Sequence, residues 1–375
     1  VRRHARPRTP AAPEVHLTEH GSRTSRSSRP HLAARAEDAL YRRLGWWLRR
    51  RGWTVRVEPF TCYGGAGWVR VLARTVLAPP GADRARWRAA TLRGWRRFAI
   101  AQVGHVEIGV EIDGTRQRVV GDRGGYVDAV VPSDLPSGWH AIRLWGSPTS
   151  HVDGQVFVVD PSVRGGVVSD VDDTVVVTNV PRPFLAAWNA LVRNENARQP
   201  VPGMAVLYDR LTRDVPDAPV FYLSTGAWNS EPALLRFLHR HGYPRGPLLL
   251  TDWGPTQTGW FRSGQEHKRA ELRRLLEEFP QISWLLVGDD GQHDPEIYRA
   301  LAEEHPDRVR AVVIRRLTPT QQVLAHGGRA PTDHLVLAGH GTTLRPPVIH
   351  GRDGTELRGL LAAASITLRD PDPSL

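Results

Sequence analysis

After Pro161 the chain switches repeatedly between two hydrophobic periods, and that switching constrains its fold more than any other feature. Short aliphatic or β-branched runs, "GGVVSD", "APVFYLST", "GPLLLTD", "ISWLLVGD" and "VRAVVI", alternate with "PALLRFLHRHG", "HKRAELRRLLEEF" and "PEIYRALAEEH", whose apolar residues recur at helical spacing. Strands joined by helices that carry the chain back to a neighbouring strand build a parallel sheet covered by helices. In such sheets reactive side chains gather beyond the carboxyl ends of the strands. The chemistry of this region is therefore read at the residues that follow each apolar run.

Upstream, the period changes. Between residues 53 and 160, "WTVRVEPF", "WVRVLARTVL", "HVEIGVEIDGTRQRVV", "YVDAVV", "WHAIRLWG" and "QVFVVD" are short β-branched or aromatic runs broken by Gly and Pro, with Asp113-Gly114 as a hairpin turn. They predict a small antiparallel β-sandwich or barrel. It holds no compact cluster of His, Asp and Ser, so binding or scaffolding is its expected role. From His31 to Arg51, Leu40, Leu44, Trp47 and Leu48 form one helical stripe, with Arg42, Arg43, Arg49 and Arg50 largely elsewhere. Packing of that stripe on its own domain is expected, with an anionic membrane surface as the alternative.

Residues 1–30, rich in Arg, Pro, Ser and Thr without periodicity, predict a disordered basic arm. The expected organisation is this arm, an N-terminal helix plus β-rich domain over 31–160, the α/β domain over 161–330, and a C-terminal extension over 331–375. The extension, with its His340, suggests no role. A chain of 375 residues is long enough for two domains, each with its own core.

Several function classes drop out on composition. No run approaches the roughly 20 apolar residues of a membrane span, and the first residues lack the apolar core of a secretory signal. The expected compartment is the cytoplasm, with peripheral membrane contact as an extension of the helix reading. Cys62 is the single cysteine, which excludes an intramolecular disulfide and a thiolate metal cage. A net charge of +11 attracts polyanions in general. No zinc-finger spacing, RNA-binding aromatic signature or basic zipper accompanies it, so specific nucleic-acid binding is not expected.

The first strand after Pro161 ends in "VVSDVDDTVVVT", which sets Asp170, Asp172, Asp173 and Thr174 just beyond its apolar run. Carboxylates clustered after a buried strand need a cation or hydrogen-bond donors, and Mg2+ is the natural compensator because it takes carboxylate oxygens and retains waters for phosphate. "VFYLST" brings Ser224 and Thr225 to the same edge. "SWLLVGDDGQHDPEIY" brings Asp289 and Asp290, with Asp294 as the expected N-cap before Pro295 and a support for the metal site. Of 50 lysines and arginines only one is lysine, Lys268, and it stands near the expected start of the helix between the Ser strand and the Asp pair. A compact ammonium fits between a carboxylate and a transferring phosphoryl group where a planar guanidinium does not.

Taken in order, Asp-x-Asp-x-Thr, Ser, Lys and Gly-Asp-Asp resemble the four motifs of the haloacid dehalogenase superfamily of phosphatases. More narrowly, "SDVDDTVVVT", "RNENARQPVPGM", "FYLSTGAWN", "EHKRAELRRLLEEFP" and "LVGDDGQHDPEIY" resemble the catalytic domain of the actin-patch-type phosphatidate phosphatase family, over about residues 160–320. The resemblance implies a Rossmann-like parallel sheet of the haloacid dehalogenase type and Mg2+-dependent hydrolysis through an aspartyl-phosphate. It implies Asp170 as nucleophile, Asp172 as acid and base, Thr174 orienting Asp172, Ser224 on a phosphoryl oxygen, and Lys268 neutralising charge. Metal ligation falls to Asp170, Asp172 through its carbonyl, and Asp289, with Asp294 in support; Asp290 departs from the expected serine and leaves two neighbouring carboxylates as candidates.

Phosphatidate is the substrate the resemblance implies, giving diacylglycerol and phosphate. Between the first two motifs the sequence shows one helical stretch, "RPFLAAWNALVRNE", and Trp228, Trp253 and Trp260 stand near the expected site. Two alternatives remain at this point: a phosphatase for soluble phosphoesters or phosphoproteins, and an anionic-membrane-binding module whose phosphatase-like domain senses phosphate. A two-component receiver domain also combines Asp, Ser or Thr, and Lys, but its lysine comes last in the chain.

Overall fold

The computed structural model describes residues 43–80, 103–147, 150–177, 198–251, 264–322 and 346–369, apart from 44, 292 and 320. The basic arm, most of the helix expected over 31–51, "RPFLAAWNALVRNE", Trp253, Trp260 and His340 lie outside the described residues.

Eight strands form the first sheet: β1 (Thr54–Pro59), β2 (Cys62–Gly65), β3 (Trp68–Ala78), β4 (Glu107–Ile112), β5 (Thr115–Val120), β6 (Tyr126–Pro132), β7 (Gly138–Trp145) and β8 (His151–Val158). Their order is β1-β3-β2-β8-β7-β4-β5, with β6 on β3. The β4–β5 hairpin turns at Asp113 and Gly114, both at positive φ (46° and 73°), as a two-residue turn matched to strand twist requires. The expected antiparallel sheet is in fact mixed, because β2 runs parallel to β8. β2, "CYGG", went unread because it carries no β-branched residue; burial of Cys62 and Tyr63 holds it in place.

The second sheet contains β9 (Gly165–Asp170), β12 (Val220–Ala227), β13 (Leu248–Thr251), β14 (Ser283–Asp289), β15 (Val309–Arg315) and β16 (Val348–Gly351). Its order is β13-β12-β9-β14-β15-β16 and every pairing is parallel. A separate short ladder joins β10 (Val176–Val177) to β11 (Gln199–Pro200), so the chain leaves after the first motif and returns beside it. The helices are α1 (Met204–Arg213), α2 (Glu231–Arg240), α3 (Gly264–Glu278), α4 (Asp294–Glu304) and α5 (Gly354–Ala363).

Burial explains these elements. Val167, Val168, Leu285, Leu286 and Val287 are buried because a parallel sheet is covered on both faces. Leu234 and Phe237 of α2, Leu272 and Leu275 of α3, and Ile297, Tyr298 and Leu301 of α4 pack against that sheet. Full burial of such a side chain stabilises by about 1.5–3 kcal/mol.

The two sheets share packing. Tyr63 of β2 meets Phe221 of β12 edge to face, with ring centroids 5.1 Å apart, and Trp68, Phe279 and Trp284 extend the cluster. Polar contacts reach the helix that carries the lone lysine: on α3, Glu278 accepts from Tyr63 Oη at 2.8 Å and from Arg70 Nε at 2.8 Å, and Arg274 Nη1 donates to Asp128 at 3.1 Å. The β-rich unit thus braces α3.

Candidate active site

β9 is central in its sheet, with β12 on one side and β14 on the other. The connections leave in opposite directions at this point, which opens a crevice at the strand ends. Asp170 closes β9 and pairs in register with Leu223 of β12, so Ser224 follows on the adjacent strand. Asp289 closes β14 on the other side.

Lys268 lies in the second turn of α3, one turn further in than the sequence suggested, and is 2% exposed. Its Nζ donates to Asp170 Oδ1 at 2.6 Å and to Asp294 Oδ1 at 2.5 Å. Burial alone would lower the ammonium pKa, but the Asp170 and Asp294 carboxylates outweigh that effect and raise it, so Lys268 is a fixed cation.

Asp294 corrects the sequence reading in one respect. The N-cap of α4 is His293, and no side chain caps this end. The Asp294 carboxylate turns to Lys268 instead, because a buried ammonium is a stronger partner than an exposed backbone N–H. Gly288 makes room for it: a β-carbon there would stand 2.7 Å from Asp294 Oδ2 and 2.8 Å from Tyr298 Cε2.

Four carboxylates, Asp170, Asp172, Asp289 and Asp294, face one ammonium. The pKa of Asp170 is pushed well up by burial, opposed by Lys268 and reinforced by Asp294 and Asp172. That of Asp289 is likewise pushed well up, by burial and then by Asp294 and Asp170. Oδ2 of Asp170, Asp289 and Asp294 are all buried without a hydrogen-bond partner. One oxygen from each of these residues lies within 4.8 Å of the others. Orphaned, mutually repelling carboxylate oxygens at this spacing fit a hard divalent cation.

Asp290 points elsewhere. Its carboxylate accepts from Leu317 N at 2.7 Å and from Gln322 Nε2 at 3.4 Å, so this carboxylate is used to secure the turn after β15. Asp289 is the member of the pair that faces Asp170 and Asp294.

Asp172 is partly exposed, and Ser224 Oγ donates to its Oδ2 at 3.0 Å. Burial raises the Asp172 pKa while the Ser224 bond lowers it, leaving a net rise. The sequence reading gave the orienting role to Thr174; in the structure Ser224 makes that contact, and the buried Thr174 Oγ1 has no hydrogen-bond partner. The loop between them is tight: Asp173 is left-handed (φ 56°), its N–H donates to Val176 O at 2.8 Å, and Asp172 bridges to Val176.

The sequence reading missed Arg315. Buried at the end of β15, it donates from Nη1 to Asp173 O at 2.5 Å, holding the first-motif loop from across the sheet. The signal was present in "VRAVVIRR", where an arginine ends an apolar run on the edge that also carries Asp289. Trp228, for which core packing is the expected duty, is buried and stacked on Phe60 of the β-rich unit, with centroids 4.5 Å apart.

Residues 165–316 match the protein family described as "Phosphatidate phosphatase APP1, catalytic domain". Phosphatidate phosphatase APP1 of Saccharomyces cerevisiae is 28% identical over 151 residues, covering 40% of this chain and 25% of that protein. An uncharacterized protein of Schizosaccharomyces pombe is 25% identical over 151 residues, covering 40% of this chain and 24% of that one. The matched stretch thus spans about a quarter of the length of these curated relatives. A carbohydrate acetylesterase from Xanthomonas citri aligns over 81% of this chain and 73% of its own at 10% identity, with a TM-score of 0.28, too low to bear on the fold. Residues 165–316, whose acidic, Ser and Lys motifs converge on one crevice, are thus similar to the catalytic domain of the APP1-type phosphatidate phosphatases.

Proposed function

We propose that the chain is a phosphoric monoester hydrolase that removes phosphate from phosphatidate by the two-step chemistry of the haloacid dehalogenase superfamily. The observation that carries this reading is the Lys268–Asp170 contact beside three orphaned carboxylate oxygens, in a segment related to a phosphatidate phosphatase. In the first step a carboxylate oxygen of Asp170 attacks phosphorus, and the bond from phosphorus to the alcohol oxygen of diacylglycerol breaks as the new one forms. Asp172, whose raised pKa favours the protonated form, gives its proton to the departing oxygen. In the second step Asp172 takes a proton from water, whose oxygen attacks the phosphorus of the aspartyl-phosphate and frees Asp170 and inorganic phosphate.

Lys268 stays charged throughout and stabilises the negative charge on the phosphoryl oxygens. Ser224, which holds Asp172, also lies on the strand edge where it meets a phosphoryl oxygen. Asp170, Asp289 and Asp294 would hold Mg2+, with the Asp172 carbonyl as a further ligand; when bound, that ion supplies charge neutralisation for the phosphoryl group. Asp290 has no part in this set.

The test is phosphate release from phosphatidate in mixed micelles and from a water-soluble phosphomonoester, with and without Mg2+. Mg2+-dependent release that favours phosphatidate and disappears in a folded Asp170→Asn variant is the expected result. Equal turnover of the soluble ester at matched concentrations would assign the chain to soluble phosphoesters instead.

A further inference from the structure

Residues 45–50 form a helical segment on the β-rich unit. The helical stripe read from sequence turns Trp47 and Leu48 inward together, but the structure buries only Leu48, at 8% exposure. Trp46 and Trp47 stand 56% and 43% exposed. The Arg50 guanidinium lies 3.9 Å over the Trp46 ring, and that of Arg51 lies 3.6 Å over the Trp47 ring. Arg43, Arg49, Arg50 and Arg51 are all exposed, and no acidic residue occurs between Arg43 and Trp53.

The segment runs directly into β1. Arg51 N donates to Trp47 O at 3.2 Å, Trp53 N donates to Leu48 O at 3.1 Å, and left-handed Gly52 (φ 82°) turns the chain directly into β1. Two adjacent indoles are therefore presented to solvent at the turn into β1, each with a guanidinium over one face. Isolated exposed apolar residues need no explanation, but an exposed aromatic pair flanked by Arg43, Arg49, Arg50 and Arg51 does.

We propose that this segment is a docking surface for an anionic phospholipid bilayer. Arginines near a negative leaflet contribute about 1 kcal/mol each. Indole rings favour the headgroup level, where their apolar bodies meet acyl chains and their N–H groups stay wet. Single-stranded nucleic acid suits the segment less well, because it binds through base stacking on open ring faces, and Arg50 and Arg51 already cover one face of each indole. The surface acts independently of what the active site hydrolyses. Among the described residues no helix is long and apolar enough to cross a membrane, so contact through this segment is peripheral.

The experiment is flotation of the full chain with vesicles of phosphatidylcholine alone or mixed with phosphatidylserine. Arginines elsewhere, notably in residues 1–42, attract anionic vesicles whatever the indoles do. The deciding variant is therefore Trp46→Ala with Trp47→Ala, which leaves the charge unchanged. The wild-type chain is expected to float with the anionic vesicles only, and the double alanine variant to bind them about tenfold more weakly. Trp46→Phe with Trp47→Phe is expected to recover part of the loss, and unchanged unfolding midpoints exclude misfolding. The proposal is overturned if the wild-type chain does not float or if the alanine variant floats equally well. It is also overturned if the variant loses binding to a single-stranded oligonucleotide and not to vesicles.

Discussion

Lys268 Nζ meets Asp170 Oδ1 at 2.6 Å across 98 residues of sequence, and within the same slot it also meets Asp294. The slot is sized for a compact cation between two carboxylates. Lys268→Arg preserves charge and nonetheless introduces a planar fork that must displace one of them. Turnover on phosphatidate is expected to fall at least about a hundredfold in a folded protein, the scale of losing a preorganised charge contact. Steady-state kcat with circular dichroism as control reads the result; near-normal turnover would remove Lys268 from the chemistry.

Asp289 and Asp290 are neighbours in sequence with opposite prospects. Asp289→Asn is expected to raise the half-saturating Mg2+ concentration for turnover about tenfold or more, because it removes a charge from the carboxylate cluster. Asp290→Asn leaves that concentration unchanged and costs about 1 kcal/mol of stability, since its side chain serves the Leu317 turn. Metal titration of activity in both variants separates the two roles.

Gly288→Ala places a methyl group against Asp294 Oδ2 and Tyr298, and α4 must shift to accept it. Overpacking of this kind costs about 1–3 kcal/mol, and here it also moves Asp294 away from Lys268, so kcat falls together with the unfolding midpoint. Gly359→Ala on α5, where a β-carbon meets nothing within 4 Å, is the control. That change is expected to leave activity intact and raise stability slightly, as alanine suits a helix interior better.

Two glutamates at the junction of the sheets give stability a pH dependence. Burial pushes the Glu231 carboxyl up to about 7 against an ordinary 4.5, opposed by the bond from Thr61 N, and burial pushes Glu271 up to about 7, opposed by Arg274. Through these two groups the folded chain holds more protons than the unfolded one between these values, so their contribution to stability falls as pH rises from about 4.5 to about 7 and is spent above. The stabilising contribution is fully present below the ordinary glutamate value. Thermal unfolding across this window is expected to show a midpoint dropping by several degrees, and Glu231→Gln with Glu271→Gln is expected to flatten the slope.

Much of the fold could be read in advance where burial dictated sequence. β9, β12, β14 and β15 announce themselves because a strand covered on both faces must be apolar at nearly every position. α1 obeys the same logic, with Met204, Leu207, Tyr208 and Leu211 buried at helical spacing, and it corrects the expectation of a single helical stretch between the first two motifs. β16, "VIHG", is too short to carry a periodic signal, and it is a strand only because β15 offers it an edge. The site followed the same division. Residue type located Asp170, Ser224 and Lys268, whereas the separation of Asp289 from Asp290, the use of Asp294 by Lys268 and the burial of Trp228 depend on partners brought from distant parts of the chain.

β16 also redraws the boundary of the catalytic unit. Val312 N donates to Pro347 O at 2.9 Å and Arg316 N to Gly351 O at 2.7 Å, so the outer rim of the catalytic sheet is sealed from beyond residue 316. Leu368 O lies so close to Gly165 that a β-carbon there would stand 2.1 Å away, and Gly354 presses on Gly203 at the head of α1. Cutting the chain at the limits of its family match would strip this seal and leave an open strand rim that invites self-association. A graft of this catalytic unit onto another protein has to extend through Arg369.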